Sequence, residues 1–280
     1  MDGFIDLLPN LTILCLTGAL AGFGAGMFGI GGGAIMVPAL MYMFTFMGYD
    51  PSTVAHMAIA TSTAVIIVNA IRSVNSHHRL GNVDWGLLWP KNIFSSYALW
   101  IGVGAFCASL WIAPRLSGQH MKGLFAIISI LISLQFIFGR PHWRLRDDVP
   151  RGAAQPIVGG SVGILSALIG IGGGSFTVPL MSMCGITIHR AIGTASGFGL
   201  AIALPGTIGY MISGWSVPLR APGSLGFVNV PAFVVMTLAA FLCVPLGAKL
   251  ATRLAQDKLR KIFGICLLFV ALNMIRSVLF

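Results

Sequence analysis

The chain has 280 residues, of which 56% are hydrophobic and only 9% are charged, and its formal net charge is +10. Soluble domains carry about 25% charged residues, so this composition excludes a soluble globular protein and an intrinsically disordered one. In a soluble chain such a charge would point to nucleic acid. Here the basic residues lie between apolar segments, so we expect a lipid bilayer as the environment and no nucleic-acid partner.

Ten apolar segments follow one another along the chain, and most of them reach the roughly 20 residues that a spanning helix needs. They cover residues 11–30, 34–48, 53–75, 86–112, 119–138, 156–171, 174–185, 189–212, 227–250 and 258–279. The second and the seventh segment are too short, and only a glycine run joins each to the segment before it. The sequence therefore predicts, twice, a long helix, a break and a short helix.

Three motifs occur once in each half of the chain, which indicates an internal repeat. They are Gly29-Ile-Gly-Gly-Gly33 and Gly170-Ile-Gly-Gly-Gly174, His56-Met-Ala-Ile-Ala-Thr61 and His189-Arg-Ala-Ile-Gly-Thr194, and Gly81-Asn-Val-Asp84 and Gly226-Phe-Val-Asn229. We predict a first transmembrane repeat at 1–138 and a second at 156–280, joined by a basic cytoplasmic linker at 139–155.

The basic residues predict the orientation of the chain. If each glycine-joined pair of segments returns to its starting side, 13 of the 17 lysines and arginines lie on one side of the membrane. The basic side is expected to be cytoplasmic, which puts both termini outside. Each half then crosses an odd number of times, so the repeats have inverted topology, as in many secondary transporters. If the short segments span fully instead, each half crosses five times and the inversion remains.

The glycine runs are predicted to break their helices, because an interior glycine costs about 0.5–1 kcal/mol relative to alanine. Broken backbone at membrane depth is tolerated only inside protein or beside a water-filled cavity. The helix that follows begins with free N–H groups and a positive dipole end, which together favour an anion. We therefore predict a substrate site made of Gly31, Gly32, Gly33, Ala34, Gly172, Gly173, Gly174 and Ser175. The alternative is that these glycines only permit tight helix crossing, which is the favoured interpretation for Gly18, Gly22 and Gly26.

Four polar residues, Thr61, Ser62, Asn69 and Arg72, fall within an arc of ~100° on a predicted apolar helix. Such a stripe should face the protein interior or a water-filled path. Arg72 either pairs with an anion or extends to the cytoplasmic surface. The second half keeps only Thr194 and offers Ser196, so the predicted substrate site is asymmetric.

His56 and His189 occupy matching positions at helix starts and are candidates for proton coupling; the alternative is a capping or interfacial role. His77 and His78, beside Arg79, are interpreted as part of a solvated loop. The chain has no glutamate, and its seven aspartates lie in loops or near helix ends. This argues against cation binding by carboxylates and against acid–base catalysis, so we expect no enzyme. The scattered cysteines have no metal-binding spacing, and we expect neither a metal nor a cofactor.

The doubled motif resembles the TauE/SafE family of sulfite and organosulfonate exporters. Gly22–Pro38 and Gly163–Pro179, each followed by His-x-Ala-Ile-x-Thr, carry the resemblance together with Leu225–Pro231. The resemblance implies a multi-pass permease of the cytoplasmic membrane that exports small sulfur-containing anions and is coupled to an ion gradient.

We therefore expect an all-α integral membrane protein: a polytopic helical bundle of two inverted-topology repeats, each with a glycine-broken hairpin plus three spanning helices. The expected function is that of a secondary transporter for a small anionic substrate. Two alternatives are a passive anion channel and an intramembrane enzyme, for which Cys184 would need to contact a histidine.

Overall fold

The computed structural model describes residues 7–90, 93–139, 148–218 and 220–279. Within these residues the chain forms eleven α-helices and one small β-hairpin. The helices are α1 Leu7–Phe28, α2 Gly33–Phe46, α3 Pro51–Arg79, α4 Trp85–Leu88, α5 Tyr97–Cys107, α6 Gly118–Phe138, α7 Ala154–Ile169, α8 Gly174–Met183, α9 Ile188–Ser213, α10 Val230–Ala251 and α11 Gln256–Leu279. Strands β1 Ser224–Leu225 and β2 Val228–Asn229 pair antiparallel. The predicted all-α polytopic class is confirmed.

Six helical segments are long and apolar enough to cross a bilayer by length and composition. They are Leu11–Phe28, Pro51–Arg79, Tyr97–Arg115, Gly118–Phe138, Ile188–Ser213 and Val230–Ala251. The short helices after the glycine runs have 14 residues in α2 and 10 residues in α8. At about 1.5 Å per residue, these helices measure roughly 21 and 15 Å, less than the ~30 Å hydrocarbon core.

The first helix of each half packs against the third long helix of the other half, and glycines make both contacts possible. A Cβ on Gly22 would lie 2.4 Å from the Ala240 carbonyl oxygen, where α1 runs parallel to α10. A Cβ on Gly163 would lie 2.0 Å from the Ile101 carbonyl oxygen, where α7 meets α5. The interpretation of Gly18, Gly22 and Gly26 as tight-crossing residues is confirmed, because a side chain there would meet the α10 backbone.

Helices α3 and α9 form the centre of the bundle and run antiparallel to each other. Gly199 lies against Ala70, and Gly206 lies against Thr63. Residue numbers thus increase along α9 in the direction in which they decrease along α3. The most apolar window of α3 is 83% buried, against 28% for α10. The outer helices expose large apolar side chains such as Leu131, Leu242 and Phe269. Apolar surface of this extent belongs in lipid rather than water.

Different segments of the chain meet at the two ends of the bundle. At one end, called the β-hairpin end, the start of α3 meets the loop at Ala113 and the β-hairpin. At the other end, called the linker end, the chain around Asp84 meets the start of α9, and Tyr97 meets Pro150. Arg79, Arg151 and Arg190 lie at the linker end.

Part of the predicted linker, residues 140–147 with Arg140, Arg144 and Arg146, lies outside the described residues, as do Met1–Asp6 and Phe280. The repeat boundaries, the cytoplasmic side and the location of the termini therefore stay predictions.

Candidate substrate site at the two glycine breaks

Both glycine runs interrupt the helical backbone, as their composition predicts. Helix α1 ends at Phe28, and α2 begins at Gly33. Between them Gly29, Gly31 and Gly32 have φ values of 69°, 73° and 84°. This left-handed region is accessible to glycine without the steric cost that a Cβ adds. In the second half, Gly170 alone is left-handed within its run, with φ of 64°.

The two breaks touch each other backbone to backbone. A Cβ on Gly33 would lie 2.1 Å from the Gly170 carbonyl oxygen, and one on Gly172 would lie 2.3 Å from the Ile30 oxygen. A Cβ on Gly174 would lie 2.5 Å from the Gly29 oxygen. Contacts this short exclude any side chain at these positions, so the two halves of the chain meet at their breaks.

Two side chains of α3 hold the two breaks. The Ser62 hydroxyl donates to the carbonyl of Gly170 at 3.1 Å, and the Asn69 side-chain amide donates to the carbonyl of Gly31 at 3.2 Å. Both side chains are fully buried. One helix of the first half therefore binds the breaks of both halves, and the seven-residue spacing puts the two donors on one helix face.

Several buried polar groups at the breaks have no hydrogen-bond partner among the described residues. These are the Asn69 Oδ1 atom and the hydroxyls of Ser166 and Ser175, and Ser175 is the second residue of α8. A buried polar group without a partner costs about 1–3 kcal/mol. Groups of this kind are retained in folded proteins where a ligand or water completes them.

Arg72 lies away from the breaks and is half-buried. Its guanidinium carbon is 4.6 Å from the centre of the Phe241 ring on α10, within the range of a cation–π contact. Its Nε atom is buried without a partner in the described part of the chain. Arg72 therefore contacts an outer helix, and the structure does not bring its side chain together with the glycine breaks. Its role in the substrate path stays a prediction.

Thr61 and Thr194 form equivalent contacts between the halves rather than facing the breaks. The Thr61 hydroxyl accepts a hydrogen bond from the Asn229 N–H at 2.9 Å, and the Thr194 hydroxyl accepts one from the Asp84 N–H, also at 2.9 Å. Each threonine thus binds the Gly-x-Val-Asx motif of the opposite half. The Ser196 hydroxyl lies 2.9 Å from that of Ser73 on α3.

The two candidate histidines lie at opposite ends of the bundle. His56 is buried at the β-hairpin end, where its Nε2 atom lies 3.0 Å from the Ala113 carbonyl oxygen and its ring stacks on Phe227. His189 is half-buried at the linker end, in the first turn of α9. The interpretation of His77 as part of a solvated loop is wrong: it is buried in α3, with Nε2 2.9 Å from the Gly26 carbonyl oxygen. The α3 helix continues to Arg79 and brings this ring onto α1.

Two features were missed by sequence reasoning. Tyr210 is fully buried on α9 and donates to the Ala167 carbonyl at 3.0 Å, in the last turn of α7 before the second break. Asp84 forms an ion pair of 3.0 Å with Arg190. A comparison of the motif copies offered a signal for this pair. Asp84 aligns with Asn229 and Arg190 aligns with Met57, so each charged residue replaces an uncharged one of the other half. Within the described residues, no group of three His, Cys or Asp side chains could hold a metal ion.

The fold and the breaks define a polytopic helical membrane protein built from two interlocked halves. The sequence family described as sulfite exporter TauE/SafE matches residues 14–274. The chain belongs to this family.

Its relatives carry transporter names. It is 34% identical over 270 residues to a probable membrane transporter protein of Haemophilus influenzae, covering 94% of this chain and 97% of the relative. It is 26% identical over 273 residues to one from Methanocaldococcus jannaschii, covering 96% and 97%. The Bacillus subtilis protein YunE, another probable membrane transporter protein, is 27% identical and covers 73% of this chain and 80% of its own length. No solved structure gives a significant match. The protein is thus a multi-pass membrane transporter that works in a lipid bilayer on a small-molecule substrate.

Proposed function

We propose that the chain is a secondary transporter that exports small sulfur-containing anions, such as sulfite or organosulfonates, across the cytoplasmic membrane, driven by an ion gradient. The observation that supports this most directly is the meeting of two helix breaks beside buried polar groups that have no partner in the described part of the chain. Helix N-termini and hydroxyls can replace the hydration of an oxyanion. A binding site without a fixed cation holds the anion weakly enough for release.

The proposed transport cycle separates the two breaks. The backbone contact between Gly33 and Gly170 leaves no space for a substrate between them. We propose that the anion binds when this contact opens. The Ser175 hydroxyl, which has no partner among the described residues, then donates to it, and so does the Asn69 side-chain amide once it leaves the Gly31 carbonyl. Inverted repeats would provide two equivalent ways of opening, one towards each side of the membrane. The antiparallel α3 and α9 and the reciprocal threonine contacts support such an inversion.

The test is uptake of labelled sulfite and of a short sulfonate by proteoliposomes, with and without an imposed pH gradient. Gradient-driven accumulation is expected, whereas flux that never runs uphill would identify a passive anion channel. Absence of flux of both compounds by folded protein would contradict the sulfur-anion assignment. His56→Gln and His189→Gln should reduce coupling to the gradient if either histidine carries protons.

Variants at the breaks test the site itself. Gly32→Leu and Gly173→Leu should abolish transport while the protein still inserts. The Gly32 change is the more severe, because Gly32 is left-handed and a Cβ there would lie 2.4 Å from the Ala21 carbonyl oxygen. Ser175→Ala is milder, since that hydroxyl bonds to no other described residue. We expect it to raise KM for the anion about tenfold, which corresponds to a lost hydrogen bond of about 1.4 kcal/mol, with unchanged thermal stability. Normal KM in Ser175→Ala would remove this hydroxyl from the site.

A further inference from the structure

A polar cleft opens at the linker end of the bundle, on the side where Asp84 and the segment after the linker meet. Its volume is about 470 Å³. Polar and charged side chains on its wall include Asp84, Asp148, Arg151 and Gln155. Arg151 pairs with Asp148 at 3.1 Å, and Asp84 pairs with Arg190 at 3.0 Å. The cleft is therefore wettable and close to neutral in charge.

A second, far smaller cavity lies behind the cleft. Its volume is about 10 Å³, close to the minimum that holds one water molecule. The two cavities have three lining residues in common, Leu87, Tyr97 and Val149, so these side chains stand between them.

The inner cavity reaches the second glycine break on its far side. Thr177 and Phe198 belong to its wall. The Thr177 hydroxyl donates to the Gly173 carbonyl at 2.7 Å, and a Cβ on Gly173 would lie 3.1 Å from the Cβ of Phe198. Cleft, inner cavity and break thus lie in sequence from the linker end towards the centre of the bundle.

Two contacts hold Tyr97 between the cleft and the inner cavity. Its ring meets the Phe198 ring edge-on, with centroids 6.4 Å apart and an interplanar angle of 67°. Its hydroxyl donates to the Pro150 carbonyl, in the segment that connects the two halves of the chain. Tyr97 comes from the first half and Phe198 from the second, so a relative movement of the halves acts on their contact directly.

We infer that the linker-end cleft is the mouth of a substrate route to the second glycine break, and that Leu87, Tyr97 and Val149 form the plug that closes it. This inference rests on the proposed transport function. The plug opens when the Tyr97 ring leaves Phe198 and its hydroxyl releases Pro150. The open route then runs from the cleft to Gly173 in the second glycine break.

The test uses a reporter cysteine behind the plug. Met181 is buried and lines the inner cavity, so Met181→Cys is placed in a chain whose five native cysteines are replaced by alanine. The labelling rate of the purified protein in lipid nanodiscs is measured with a negatively charged, membrane-impermeant maleimide. Ser95→Cys, at an exposed residue of the cleft wall, is the matched reporter in front of the plug.

Removing the hydroxyl with Tyr97→Phe should speed Met181→Cys labelling about two- to tenfold, the factor that one hydrogen bond represents. Val149→Ala should speed it as well, and Val149→Trp should slow it. Ser95→Cys should react fast in every variant. Tyr42→Phe, at an exposed residue of α2, is the control and should change neither rate.

Unchanged Met181→Cys labelling in both Tyr97→Phe and Val149→Ala, with folded protein by gel filtration, would overturn the plug. Labelling does not depend on transport, so the two proposals fail separately. A labelling response without sulfite or sulfonate flux would support the plug and contradict the sulfur-anion assignment. Flux without a labelling response would support the transporter and contradict the plug.

Discussion

The two glycine breaks have the same five-residue sequence and different backbones. The first contains three left-handed glycines, Gly29, Gly31 and Gly32, whereas the second contains only Gly170. Gly173 even has helical values, with φ of −53° and ψ of −29°. The first break is bound by the Asn69 amide, and the second by the shorter Ser62 side chain. The identical sequence therefore permits a break in both halves, and the residues packed against each break decide its backbone conformation.

The largest effect is expected where one break touches the other. Gly33→Ala would put a methyl group 2.1 Å from the Gly170 carbonyl oxygen, and backbone cannot yield as a flexible side chain does. We expect a loss of about 3 kcal/mol, the upper range for overpacked cores, together with loss of transport. Thermal unfolding in detergent and flux in proteoliposomes measure both.

Gly173→Ala and Gly24→Ala are the comparison variants. The contacts of a new methyl group would be 3.1 Å at Gly173 and 3.5 Å at Gly24, the latter to a side-chain atom of Ile35. We expect a partial loss of transport for Gly173→Ala and none for Gly24→Ala. Equal stability of Gly33→Ala and Gly24→Ala would contradict the direct contact between the breaks.

Much of this architecture was readable from the sequence. Apolar length predicted the six segments that are long enough to span, and glycine runs predicted the breaks, because both depend on local composition. The role of α3 was only partly predicted. Periodicity put Ser62 and Asn69 on one face, but spacing alone gave no sign that they bind two different breaks. That depends on the packing of the halves, as does the burial of His77.

The two Gly-x-Val-Asx motifs, Gly81–Asp84 and Gly226–Asn229, are here called corners, and they form a second comparison. Both give a backbone N–H to a threonine of the opposite half, at the same distance of 2.9 Å. Asn229 is buried at the β-hairpin end, while the Asp84 side chain is 24% exposed and pairs with Arg190. The repeated geometry thus carries an ion pair at one end and a neutral amide at the other.

Thr61→Val and Thr194→Val test how alike the corners are. Valine keeps the shape of the threonine side chain and removes the hydroxyl that accepts the hydrogen bond. Each change leaves one backbone N–H without its partner, which costs about 1–3 kcal/mol when the group is buried. We expect the larger loss in unfolding free energy for Thr61→Val, because Asn229 is the more deeply buried. Thr45→Val on α2 serves as the control, because its hydroxyl bonds only within its own helix. A larger loss for Thr194→Val would show that the ion pair, rather than burial, sets the strength of the corner.

The smallest effect is expected for Asp84→Asn, which makes the linker-end corner resemble the β-hairpin end. The Arg190 side chain is 55% exposed, and ion pairs of this exposure contribute about 0.2–1 kcal/mol. The asparagine still accepts the amide hydrogen bonds of Gly86 and Leu87, which the Asp84 Oδ1 atom accepts now. We therefore expect a small loss of stability that disappears as salt rises to about 1 M, where the screening length is about 3 Å. Thermal unfolding of the wild type and the variant across a salt series measures it. A loss that persists at high salt would show that the Asp84 carboxylate stabilises the corner mainly by accepting stronger hydrogen bonds from Gly86 and Leu87 than an amide oxygen does, and not through its ion pair with Arg190.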